Sequence, residues 1–148
     1  MAIHNDNEFK AALNGLSTMQ QRMAAARFTE NVLVLSTDHR LKGALEPAMH
    51  AGAGDDELAD AFRIAKAASV DSYTQCGGEC DWNSQASHFV AEAVLDCVRP
   101  ATADSNCAWD AAMHARMARN CQGIAAGKGT DNDEAAEQYR ILAEFLNA

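Results

Sequence analysis

The chain has 148 residues, five cysteines and a net charge of −9, so it can bury an ordinary core without help from a disulfide or metal. The acidity argues against nucleic acid or an anionic membrane surface as a partner, because both are held through Lys and Arg. No run approaches the ~18 apolar residues that a spanning helix requires.

The kind of apolar residue sets the fold class. Thirty-one alanines stand against ten Val plus Ile, and alanine is the best helix former whereas β-branched residues favour strands. Only Val32-Leu33-Val34-Leu35 reads like a strand core, and it sits inside a longer helical pattern. The composition predicts an all-α, single-domain bundle of about six to seven helices over residues 1–148, closely packed through alanine and without a sheet.

Asn5 or Asp6 opens a first helix, which stops at Asn14-Gly15. Ser17 and Gln20 form a capping box for a longer second helix carrying Met19, Met23, Phe28, Val32 and Leu35 at roughly helical spacing. Thr37 or Asp38 restarts the chain into a third helix with Leu41, Leu45, Ala48 and Met49, kinked at Pro47 and ended by Gly52 and Gly54. Asp55 caps a fourth, whose acidic first turn suits the positive end of the dipole. Its inner stripe is Leu58, Phe62, Ala65 and Ser69, and Cys76-Gly77-Gly78 stops it.

In the fifth helix Trp82, Ala86, Phe89, Val90, Ala93, Val94 and Cys97 follow one face, and Arg99-Pro100 closes it. The sixth is expected from about Asp104 to Ala126. After a polar loop, Asp131 and Glu134 read as a second capping box, and the last helix turns Ala135, Tyr139, Leu142 and Leu146 inward.

Five cysteines cannot all pair internally, and they read as reduced thiols of a cytoplasmic protein. Met1–Glu8 has neither the basic start nor the apolar core of a signal peptide. Cys76 and Cys80 flank Gly77-Gly78-Glu79, a flexible turn in which two sulfurs can meet as a redox pair or two metal ligands, or remain incidental thiols. Cys107, His114 and Cys121 are spaced by sevens. Seven residues of helix rise about 10.5 Å, too far for one metal, so with Ala111, Ala118 and Ala125 they mark a packing face.

Asp110 lies inside the wide apolar arc of the sixth helix, one turn before His114. A carboxylate there needs a partner, and a histidine four residues on is the nearest. The pair suits a structural hydrogen bond, a base with its orienting acid, or a metal ligand with its supporting carboxylate. Glu46–His50 and His88–Glu92 have the same spacing; His88 and Glu92 lie opposite the apolar face and read as a solvated pair. No Glu-x-x-His of the di-iron kind occurs, nor any phosphate-binding loop or Gly-x-Ser-x-Gly elbow.

Residues Ala51–Ala61, with Gly52, Gly54 and the acids that follow, are similar to the helix start after the active site of carboxymuconolactone decarboxylase-like proteins. That resemblance implies a redox Cys-x-x-Cys with a histidine just upstream; Leu35–His39 holds the histidine but no cysteine, so the activity is not carried over. The Trp109-Asp110-Ala111-Ala112 pattern in alanine-rich helices loosely resembles bacterial immunity proteins.

The expectation is a non-enzymatic helical binding protein of adaptor or immunity type, without a cofactor, whose partner is a basic protein or a second copy of the chain. The alternative is a small metal-binding or thiol-redox bundle using Asp110, His114, Cys76 and Cys80.

Overall fold

Local sequence signals set most of the helix starts. Asn5 accepts from the Glu8 amide and opens α1 (Asp6–Asn14). Ser17 and Gln20 form the full capping box at the head of α2 (Thr18–Glu30), each side chain bonding the other's backbone amide. In this computed structural model, which describes residues 2–76 and 81–148 with side chains omitted at 74–76, seven α-helices and no strand are found among the described residues. The all-α fold is thus as the alanine content predicts.

α2 is shorter than its periodicity suggests. It ends at Glu30, and Leu33–Leu35 form a separate 3₁₀ turn, so the apolar run Val32–Leu35 does not continue the helix. Val32 is fully buried while Val34 points to solvent. α3 (Arg40–Leu45) passes directly into a second 3₁₀ turn, Glu46–Met49, with Pro47 near its start, where a missing N–H costs nothing.

α4 (Asp55–Cys76) and α5 (Trp82–Val98) run antiparallel: Ser72 near the end of α4 meets His88 in α5, and Ser69 meets Glu92 one turn further on. Asp81 caps α5 through the Ser84 amide. α6 (Cys107–Ala125) starts later than Asp104, because Asn106 accepts from the Ala108 and Trp109 amides and is the true cap. α7 (Glu134–Leu146) is preceded not by an Asp131 capping box but by Asn132, whose Oδ1 takes the Glu134 amide.

The core is made mostly of small groups. Ala108, Ala111, Ala112, Ala115 and Ala118 of α6 are fully buried, with Ala86, Val90, Ala93, Val94 and Cys97 facing inward from α5. Larger side chains close one end: Phe9 lies 5.4 Å from both Phe28 and Tyr139 and 6.2 Å from Trp109, centroid to centroid. Burying Phe9 and Leu13 contributes about 1.5–3 kcal/mol each, which docks the short α1. Arg116 on α6 reinforces it, lying over the Phe9 ring and pairing with Asp6 through two guanidinium nitrogens. Trp82, by contrast, is 44% exposed at the start of α5 and anchors no core.

The inward face of the last helix is wider than expected, with Tyr139 and Leu146 packed against the core. Leu142 is buried as predicted, but Ile141, Gln138 and Glu134 also point inward. The two polar groups are matched there. Gln138 donates to the Ala112 carbonyl and accepts from Arg116 Nε, while Glu134 is held by Arg119 and Asn31. Each bond offsets the cost of removing a polar group from water.

Candidate functional site

α5 and α6 also run antiparallel, which brings positions 96 and 99 opposite 114 and 110. Asp96, like Glu134, is a buried carboxylate, 2% exposed, and it lies deep in the α5–α6 seam. Its Oδ2 accepts the Nδ1–H of His114 at 2.5 Å, and its Oδ1 pairs with Arg99 Nη1 at 3.0 Å. Arg99 Nη2 in turn pairs with Asp110. The four residues form one chain, His114–Asp96–Arg99–Asp110, with alternating charge when His114 is protonated.

The expected Asp110–His114 pair is therefore corrected. The two residues belong to one cluster, but the partner of His114 is Asp96 and that of Asp110 is Arg99. Asp110 is only partly buried, at the outer end. Asp96 was the residue to find: it lies seven positions after Phe89 and three after Ala93, inside the apolar stripe of α5, where a charged residue demands a partner.

Burial disfavours the Asp96 carboxylate and raises its pKa, although His114 and Arg99 pull the other way. Burial also works against the His114 imidazolium, but the hydrogen bond and charge of Asp96, with Glu92 and Asp110 beyond, prevail and hold His114 above its ordinary value. The ring stacks on Phe89, 6.2 Å between centroids and 21° from parallel, which fixes its plane. An acid orienting an imidazole through Nδ1 is half of a general-base arrangement. Among the described residues, however, no hydroxyl or thiol hydrogen-bonds His114, and no three His, Cys, Asp or Glu side chains are grouped to hold a metal ion.

Cys97 and Cys107 lie within reach of the charges of that cluster but make no hydrogen bond to it. Cys97 is completely buried, its Sγ 3.2 Å from Thr29 Oγ1, and burial pushes the thiol far above its usual range. Burial likewise raises Cys107, outweighing Arg22 and Arg99 nearby, and raises Cys121. All three are free and protonated at neutral pH. Cys76 ends α4, but its side chain, and the whole of Cys80, lie outside the described residues.

His88 and Glu92 are not a solvated pair. They face α4, only 17% and 28% exposed in their side chains and 3.4 Å apart. Ser72 Oγ lies 2.8 Å from His88 Nδ1, and Ser69 donates to Glu92 at 2.8 Å. Ser72 also donates its own proton to the Ser69 carbonyl, so the hydroxyl acts as acceptor toward the imidazole rather than as an activated nucleophile. Glu46–His50 does form at 2.9 Å on the exposed surface.

The fold and this cluster define an all-helical bundle with an internally compensated histidine–carboxylate–arginine chain. Compared with known proteins, it matches no protein-family model, no curated protein and no solved structure.

Proposed function

We propose that the protein is a helical binding module of adaptor or immunity type, acting on a protein partner through its surface rather than by a reaction. The observation that carries this reading is Val34. It is 81% exposed on the 3₁₀ turn between α2 and α3, and it borders two shallow hollows of 440 and 750 Å³. The turn is braced from within: Val32 is fully buried, Arg119 reaches the Asn31 carbonyl, and Ser36 bonds Ser87 on α5 at 2.9 Å. An apolar group already held out on an ordered segment loses little conformational freedom when a partner covers it.

The buried polar groups support the same reading. The Asp96 chain spends its hydrogen bonds on itself, and among the described residues no buried side-chain nitrogen or oxygen lacks a partner. The net charge of −9 favours a basic partner by long-range attraction. Replacement of Val34 by Asp tests the proposal. Immobilised wild-type protein retains a partner, or self-associates in sedimentation; V34D loses that association while melting at the same temperature. Equal retention by V34D, or a wild-type chain that is monomeric and retains nothing, overturns it.

A further inference from the structure

The start of α4, the end of α5 and the middle of α2 enclose a groove of 450 Å³. That volume lies within the range of small-molecule sites, ~300–1,000 Å³. Its walls are apolar, formed by Leu58, Phe62, Val98 and Pro100. Three charged residues reach it: Arg22, Arg99 and Asp55. Arg99 is already committed to Asp96 and Asp110, and Asp55 stands at the exposed beginning of α4.

Arg22 is different. Its Nη1 donates to the carbonyls of Cys97 and Arg99, at 2.8 and 3.2 Å, capping the C-terminus of α5. Those two bonds use both Nη1 protons and fix the guanidinium plane. Nε and Nη2 have no hydrogen-bond or ion-pair partner among the described residues. The free Nε–Nη2 edge carries two parallel N–H groups, the geometry that matches the two oxygens of a carboxylate.

We infer that this groove is a binding site for a small apolar monocarboxylate. The carboxylate takes the Nε–Nη2 edge of Arg22, and the hydrocarbon body lies along Leu58, Phe62, Val98 and Pro100. Both halves of the ligand are needed. The acidity of the chain and Asp55 at the rim oppose anions in general, so charge without a hydrophobic body is not retained. An uncharged tail makes no use of the Nε and Nη2 donors of Arg22. The inference rests on Arg22 and its groove, independently of the Val34 surface.

Calorimetric titration of the full chain with octanoate and 4-phenylbutyrate tests it, with octanol, acetate and sulfate as probes of each half alone. The two carboxylates bind at least about tenfold more tightly than octanol, acetate or sulfate. Arg22→Gln weakens octanoate binding by a similar factor. Because Arg22 also caps α5, a second variant leaves that cap untouched. Ala59→Leu fills the groove from an exposed helical position, keeps the melting temperature and removes binding. Octanol binding as tightly as octanoate, wild-type affinity in either variant, or no titration by either carboxylate at millimolar concentration each overturns the inference.

Discussion

Asp96 accepts the Nδ1–H of His114 at 2.5 Å across the α5–α6 seam, and folding raises the pKa of both partners. A raised folded pKa means that the native state binds the proton more tightly than the unfolded chain. The His114 contribution is therefore complete below its unfolded value near 6.5 and is lost as pH climbs through the folded value. Asp96 adds a loss of the same sign, beginning above its unfolded 3.8. Asp6 and Asp38, lowered chiefly by Arg116 and Arg40, act oppositely and lose stability as pH falls below 3.8. Thermal melts should show the wild type weakening from pH 6.5 upward, and His114→Gln should flatten that slope. An unchanged slope in the variant would remove His114 as its source.

Gln138 is completely buried and spans two helices, donating to the Ala112 carbonyl at 2.9 Å and accepting from Arg116 at 2.8 Å. Gln138→Ala strips both partners and opens space beside α6, with an expected cost of about 1–3 kcal/mol in urea unfolding. A change within error would mean that water or a rotated Arg116 replaces both bonds.

Gly123 shows where a single methyl cannot be placed. A Cβ there would collide with the Gly129 carbonyl oxygen, in the turn where Lys128 donates to the Gly123 carbonyl. Backbone must move to admit it, so Gly123→Ala should lose about 1–3 kcal/mol. Gly43, inside α3, meets nothing within 4 Å and has no positive φ. Gly43→Ala should be neutral or gain about 0.5–1 kcal/mol through the unfolded chain. Melting both variants side by side separates local collision from a general effect of alanine.

Thiol labelling of native protein, mapped by peptide mass, should leave Cys97 unmodified after Cys107 has reacted. Burial is complete at Cys97 and partial at Cys107, and both thiols are held protonated. Thr29→Val should speed no reaction at Cys97 unless it also destabilises the fold, because access rather than the 3.2 Å contact limits attack. Rapid native labelling of Cys97 would show that the α2–α5 contact opens locally.

The helix starts at Asn5 and Ser17 were legible because caps are local: a side chain meets an amide three residues away. Asp96 was half legible. Its place in the α5 stripe marks it as a buried acid, but its partners depend on how α5 registers against α6, which one sequence does not disclose. The same limit hid the partners of Ser72 and His88. Val32–Leu35 misled for another reason: four consecutive apolar residues have no preferred period, so nothing local distinguishes the buried Val32 from the outward Val34. The inward polar residues of α7 escape any reading in which polar residues face outward. Gln138 and Glu134 face inward because Arg116, Arg119 and Ala112 supply their hydrogen bonds.

The buried face of α6 is built from five alanines, and that choice shapes how the protein answers temperature. Each alanine exposes little apolar surface when the chain unfolds, so the heat-capacity increment should fall below the usual ~12–15 cal/mol/K per residue. The stability curve of this bundle is then broad and shallow. Cooling removes less of its stability than it would from a leucine-rich bundle of equal length, and scanning calorimetry would register the difference as a small baseline step.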